Sequence, residues 1–272
     1  MKNLHLRLYD SIRWVNNLEY IVSATTDIGL SKETNQDSFG VTVVDTRLGK
    51  MVIAVLCDGM GGLSKGEVAS ATVIDAFHKW VSKQLPNLCQ TGITDTVIRD
   101  EWTDIALLCN EKIRIYGDSI GIDLGTTAAV LMLTDTRYFI MNIGDSRVYQ
   151  ISDRAIPLTK DQTVVAREVE AGVLTEEQAK VDPRRSVLLQ CIGASKKIIP
   201  DFFFGETQRD TVYMLCSDGF RHQITSQEIQ SYLAPSRMCE KGQMKKNMET
   251  LIEINKQRQE QDNITVVSVR TY

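Results

Sequence analysis

Four aspartates stand where apolar runs begin or end, and their type and placement suit one chemistry. Met51 to Cys57 reads as a buried β-strand and opens directly onto Asp58-Gly59-Met60-Gly61-Gly62. Cys216-Ser217-Asp218-Gly219 repeats that arrangement at the end of a second apolar run. Asn35-Gln36-Asp37 directly precedes SFGVTVV, and Gln261-Asp262-Asn263 directly precedes ITVVSV. Any single Asp-Gly step is an ordinary turn. Two of these aspartates leave strands and two enter them, so antiparallel pairing gathers all four on one edge, whereas a parallel sheet splits them between opposite edges. Carboxylates gathered so closely cannot all stay ionised without a counter-charge. Hard divalent cations, Mg²⁺ or Mn²⁺, are the natural one. The bare backbone of Gly59 lets a carbonyl join such a shell, and the glycines around it are expected to leave room for ions, water and substrate.

The residue supply narrows the choice. Histidine occurs only at 5, 78 and 222, so a histidine-rich metal site is excluded. The six cysteines include no CxxC and read as reduced thiols, not as a disulfide framework or zinc site. Cys57 and Cys216 flank the proposed site and are expected to be buried and inert, in preference to redox-active. Net charge is −4 with no basic stripe, which makes nucleic acid and anionic membrane poor partners. The apolar runs are strand-length and too short to span a membrane. The N-terminal MKNLHLRLYDSIRW mixes charges into its apolar residues, unlike a signal peptide. A soluble, monomeric, cytoplasmic protein is expected. Its 272 residues approach the upper size for one core. They divide into an extension, residues 1–19, and one domain, residues 20–272.

The elements that must carry the aspartates are grouped. EYIVSAT, SFGVTVVD and MVIAVLC read as strands. Ser64-Lys65-Gly66-Glu67 is a capping-box pattern opening a helix whose inward face is Val68, Ala69, Thr72, Val73, Ala76, Phe77, Trp80 and Val81. A second helix is predicted over 94–116, with Ile98, Trp102, Ile105, Ala106, Cys109 and Ile113 inward. TTAAVLMLT and two strands around the turn Gly144-Asp145-Ser146 follow. A polar helical segment over 161–182 comes next, then the strand DTVYMLC, a helix and ITVVSV. Strands and helices in groups favour an α+β layered sandwich over a parallel doubly wound sheet.

Thr26-Asp27-Ile28-Gly29, Asn35-Gln36-Asp37, Cys57-Asp58-Gly59-Met60-Gly61-Gly62, Gly125-Thr126-Thr127, Gly144-Asp145-Ser146-Arg147, Ser217-Asp218-Gly219 and Asp262-Asn263-Ile264-Thr265 stand in a diagnostic order. Together they resemble the metal-dependent Ser/Thr protein phosphatases of the type 2C (PPM) family, from about Tyr20 to the C-terminus. Met60 resembles the bacterial branch. The resemblance implies two packed antiparallel β-sheets flanked by helices, an α-β-β-α sandwich. It implies that Asp58 bridges two Mg²⁺ or Mn²⁺ ions, with the Gly59 carbonyl and Asp37 on one and Asp218 and Asp262 on the other. It implies hydrolysis of phosphoserine and phosphothreonine by in-line attack of a hydroxide shared between the metals, with no phospho-enzyme. Phosphoproteins modified by a cognate Ser/Thr kinase are the implied substrates.

Several positions depart from the family's commoner pattern. Lys32 falls where an arginine usually holds the substrate phosphate, and a lysine offers a point charge in place of a fork. Phosphate contact is the preferred reading of Lys32 over a plain loop charge, and it joins Asp58 as a catalytic candidate. Gln36 stands where glutamate is frequent, Met60 where animal relatives carry histidine, and Asp182 before Pro183 where histidine is frequent. The third metal of many bacterial members calls for an acid at the position of His222, with Asp123 as the other candidate ligand. An ordinary satisfied histidine is preferred there, so a weakened or absent third metal is expected. The 159–193 segment resembles the family's flap, with a second capping box at Thr175-Glu176-Glu177-Gln178; Arg184 and Arg185 are expected to be solvated in preference to steering phosphopeptides. Two further function classes compete with the enzyme: a weakly active or inactive relative that binds phosphoproteins as a regulator, and a two-metal hydrolase of small phosphate esters. All four metal-binding aspartates are present, which favours the protein phosphatase.

Overall fold

The apolar runs become strands in the computed structural model, which describes residues 18–61 and 65–272. Strands β1 (Tyr20–Asp27), β2 (Ser38–Thr46), β3 (Gly49–Cys57) and the short β4 (Gly59–Gly61) come first. Helices α1 (Gly66–Lys83), α2 (Leu85–Thr91) and α3 (Asp95–Ile120) follow. Strands β5 (Leu124–Thr126), β6 (Ala128–Leu133), β7 (Arg137–Ile143), β8 (Arg147–Ile151) and β9 (Ala155–Pro157) lead to helices α4 (Val164–Glu170) and α5 (Glu176–Val181). The remainder is β10 (Asp201–Glu206), β11 (Thr211–Cys216), α6 (Asp218–Arg221), α7 (Ser226–Leu233), α8 (Lys241–Gln257) and β12 (Ile264–Thr271).

The strands form two five-stranded sheets, ordered β1-β12-β11-β8-β9 and β10-β7-β6-β3-β2, with β4 and β5 as a separate ribbon. Every pairing is antiparallel. Strand β3 shows why its sequence lacks the usual alternation. Val52, Ala54 and Leu56 meet Val148, Tyr213, Leu215, Val267 and Val269 of the facing sheet. The intervening Met51, Ile53, Val55 and Cys57 pack beneath α1, α2 and α3. Successive side chains of a strand point to opposite faces, and here both faces are covered. The first sheet is covered in turn by α7 and α8 through Ile229, Leu233, Met244, Met248 and Leu251. Helix, sheet, sheet, helix is the layering that the sequence led us to expect.

The helices keep their predicted faces. Ala69, Val73, Phe77, Trp80 and Val81 of α1 and Ile98, Trp102, Ala106, Cys109 and Ile113 of α3 are buried. Thr94 caps α3 by accepting the Val97 N–H, and the helix runs four residues past the predicted end at Tyr116 before Gly121 stops it in a left-handed turn. The predicted cap of α1 is corrected. Its N-cap is Lys65, without a side-chain cap bond, and Ser64 lies outside the described residues. The polar segment splits into α4 and α5, the latter starting with the expected Thr175/Gln178 box. Strand β10 carried no alternation signal in DFFFGE and was not anticipated. Residues 1–17 of the proposed extension lie outside the described residues, whereas Leu18 is buried and donates its N–H to Asp135.

Between α1 and α3, Trp102 makes edge-to-face contacts with Phe77 and Trp80, each with ring centroids 5.7 Å apart. Trp102→Ala empties the centre of that layer and is expected to lower unfolding stability by about 3–5 kcal/mol. Leu108→Ala on the exposed face of the same helix should stay within about 0.5 kcal/mol. Urea denaturation of both variants checks the contrast.

Candidate metal centre

Register delivers the four aspartates to one edge of the sandwich. Ser38 of β2 lies opposite Cys57 of β3, so Asp37 and Asp58 are the next residues on the same side. Cys216 of β11 lies opposite Val266 of β12, and Asp218 and Asp262 extend from the same end of that pair. The two sheets are stitched together there by Asn263. Its Oδ1 accepts the Gln36 N–H at 2.9 Å, and its Nδ2 donates to the Ile28 and Thr34 carbonyls at 2.8 and 3.3 Å. One amide thus fixes the 28–36 loop, which carries Lys32 and leads to Asp37, onto the strand next to Asp262.

Asp58 is clamped through its backbone. Its N–H donates to Thr127 Oγ1 at 2.9 Å, and its carbonyl accepts from both the Thr127 N–H and Thr126 Oγ1 at 2.9 Å. Thr127 Oγ1 is hydrogen-bonded in turn to Ser146 Oγ at 2.7 Å. The Gly125-Thr126-Thr127 and Gly144-Asp145-Ser146 motifs therefore converge on one residue. Gly59 is held in close packing. A Cβ there would lie 2.3 Å from the Gly66 carbonyl oxygen and 2.5 Å from that of Gln36. The backbones of α1 and of Gln36 packed against it demand glycine.

Negative charge is concentrated and desolvated at this edge. Burial pushes the Asp37 carboxyl up to about 7, and the charges of Asp218 and Asp262 add to the rise. The Thr265 and Ser217 hydroxyls temper it without forming good hydrogen bonds, because both Asp37 oxygens are buried and unpartnered. Burial also carries Asp58 well above the carboxylate range, followed by the charges of Asp37, Asp218, Asp145 and Asp262. Asp218 Oδ1 is a third buried oxygen without a partner. Among the described residues no three histidine, cysteine or acidic side chains already stand as a closed ligand cage. Oxygen-only donors with orphaned lone pairs nevertheless fit Mg²⁺ or Mn²⁺, since a small hard cation keeps several waters and needs no closed protein cage.

Lys32 lies at the rim. Its Nζ is 2.7 Å from Asp262 Oδ1, and both side chains are about one-third exposed (39% and 36%). Burial works against its charge, but the Asp262 bond and the charges of Asp58 and Asp218 outweigh that and hold the ammonium above its ordinary range. His222 is half-buried beside the site, its Nε2 3.5 Å from Asp218 Oδ2 and its Nδ1 3.5 Å from Glu260 Oε2. Asp123 is exposed. It lies three residues beyond Thr126, the partner of Gly59 in the ribbon, which is roughly 10 Å of strand. His222 thus stands beside Asp218, and Asp123 lies exposed just before β5.

Three contributors had no assigned role in the sequence. Asp145 is buried, and burial followed by the Asp218 charge pushes it up to about 7. The signal for it was available, since Asp145 follows the buried end of β7 much as Asp58 follows β3. Arg221 donates to the Asp145 carbonyl at 3.0 Å and pairs with Asp161 at 3.0 Å, and Arg147 forks onto Asp161 at 2.6 and 2.9 Å. The third, Glu260, faces His222. On the flap, Asp182 now has an account. Its Oδ1 accepts the Arg184 N–H at 2.8 Å across the Pro183 turn, and Arg184 also pairs with Glu168, which commits that arginine within the chain.

A model of the protein phosphatase 2C family matches residues 30–253. The chain belongs to that family. It is 32% identical over 254 residues to the protein phosphatase PhpP of Streptococcus pneumoniae, covering 91% of this chain and 96% of that one. The serine/threonine phosphatase Stp of Listeria welshimeri is 29% identical over 217 residues, 78% of this chain and 82% of the relative. The solved Mycobacterium tuberculosis serine/threonine phosphatase PstP/Ppp superposes with a TM-score of 0.76 at 28% identity, covering 93% of this chain and 98% of that one. A PstP catalytic domain solved in complex with two manganese ions gives 0.75 at 26% identity, over 94% and 99% of the two chains.

The phosphatase fold brings a stability cost that depends on pH. Asp37 and Asp145 titrate near 7 in the fold against 3.8 when free, so the folded state holds more protons between those values. Their contribution is favourable below about pH 4 and is lost as pH rises through 7. Chelator-treated protein should therefore melt several degrees lower at pH 8 than at pH 6. Asp58→Asn should narrow that difference, and Mn²⁺ should raise the wild-type melting temperature more than the variant's. Thermal melts in the two buffers decide it.

Proposed function

We propose that this chain is a metal-dependent protein serine/threonine phosphatase that hydrolyses phosphoserine and phosphothreonine directly, without a covalent intermediate. The observation that carries this reading is the meeting of Asp37 and Asp58 from one sheet with Asp218 and Asp262 from the other on a single buried edge. Asp58, with the Gly59 carbonyl and Asp37, would hold one divalent cation, and Asp58 with Asp218 and Asp262 the other. When bound, such a pair supplies a nucleophile at neutral pH and neutralises charge on the phosphoryl oxygens. Mn²⁺ is favoured by the relative that carries two such ions.

The chain's own groups do the rest. The threonine clamp keeps Asp58 from reorienting as ligands exchange. Lys32, at the exposed rim, offers its ammonium to the substrate phosphate. A cysteine nucleophile is disfavoured, because burial pushes the Cys216 thiol up to about 12 and the Cys57 thiol well above its normal value. His222 faces Asp218 and Glu260 while Asp123 is exposed, which supports a weak or missing third ion. Phosphorylated proteins, the products of a Ser/Thr kinase, are the proposed substrates, with a cytoplasmic monomer as the proposed working form. Among the described residues no helix is long and apolar enough to cross a membrane.

Phosphate release from a phosphothreonine peptide tests the proposal. Turnover should require Mn²⁺ or Mg²⁺, vanish on chelation, and fall about a thousandfold in Asp58→Asn. Lys32→Ala should lower kcat/KM by roughly ten- to a hundredfold, the worth of one charged hydrogen bond, and Lys32→Arg should recover most of it. Folded, metal-loaded protein that releases no phosphate from varied phosphopeptides would sink the enzyme reading and leave phosphoprotein binding in its place.

A further inference from the structure

We infer that Glu260 is a positioning residue that holds Asp218 and Asp262 in place together for cation binding. This rests on the reading of those two aspartates as metal ligands. Glu260 is 6% exposed. Its Oε1 accepts the N–H of Gln261 at 2.9 Å and of Asp262 at 3.1 Å, which fixes the backbone that carries the Asp262 carboxylate. Its Oε2 faces His222 Nδ1 at 3.5 Å, and His222 Nε2 faces Asp218 Oδ2 at 3.5 Å. One buried carboxylate therefore reaches both ligands of the first sheet, one directly and one through an imidazole.

The backbone leading to Glu260 supports a dedicated role. Helix α8 ends in a Schellman turn, with the Glu260 N–H on the Asn255 carbonyl and the Gln259 N–H on that of Lys256, both at 3.0 Å. The residue that must turn left-handed is Gln259, at φ 65°, where glycine would be at ease. That turn delivers Glu260 into the site instead of ending the helix in solvent. Two amides and the His222 imidazole receive the buried Glu260 carboxylate, so its place is fixed by the same groups that carry Asp262 and face Asp218. Groups standing behind metal ligands in this way commonly set cation affinity.

Mn²⁺ titration of chelator-stripped protein by calorimetry tests the inference, with melting of the metal-free forms as the folding control. Glu260→Gln retains an acceptor for the two amides but loses the charge facing His222, and should bind Mn²⁺ about tenfold more weakly. Glu260→Ala, which loses both, should approach a hundredfold. His222→Phe should weaken binding too, and its effect combined with Glu260→Gln should be less than the product of the two, because both act through Asp218. Wild-type protein that takes up no Mn²⁺ overturns the metal centre and this inference with it. Wild-type binding with Glu260→Gln within twofold of it overturns the inference alone, and so does a variant that only melts earlier.

Discussion

Mutual repulsion among buried carboxylates is the constraint around which this protein is organised. Asp37, Asp58, Asp145 and Asp218 share a desolvated edge with Asp262 at its rim, and a chain free to relax would move them apart. Holding them requires supports that are themselves rigid. The edge therefore stands on strand termini, whose positions are set by ladders running the depth of the sandwich. Asn263 locks the two sheets together where the charges meet. Cation side chains take part of the load: Arg221 beneath Asp145 and Lys32 against Asp262.

Affinity for a divalent ion and cost to the metal-free fold are two sides of one arrangement. Each orphaned oxygen of Asp37 and Asp218 lowers stability until a cation completes it. The sandwich can bear this because its three apolar layers are continuous and well filled. The half-buried Arg147–Asp161–Arg221 group adds a second rigid element, tying the segment before α4 to the helix that begins with Asp218.

Much of this was legible in the sequence, for reasons that differ by residue. Strand β3 and its aspartate were plain because an apolar run ending in Asp-Gly is a local pattern. The joining of Asp37 with Asp58 and of Asp218 with Asp262 followed from antiparallel topology, which grouped strands suggested. The face of α3 was readable from its period. Gly59 was singled out for its bare backbone, but the close approach of Gly66 and Gln36 that also demands glycine there leaves no local trace. Arg221 meets Asp145 and Asp161, and Glu260 reaches Asp218 through His222, all far off along the chain, and spacing in the sequence does not carry that information. Strand β10 was missed because Phe202, Phe203 and Phe204 run without alternation and both faces are only half-covered.

The pairing of β1 with β12 also fixes where the ends of the described chain emerge. Glu19 and Tyr272 exchange two backbone hydrogen bonds of 3.1 Å, side by side on the rim opposite the aspartates. The eight residues of β1 separate the two rims by roughly 26 Å. Anything joined beyond Leu18 or Tyr272 thus sets out from the far pole of the molecule. An attachment at that pole leaves approach to the aspartate edge open.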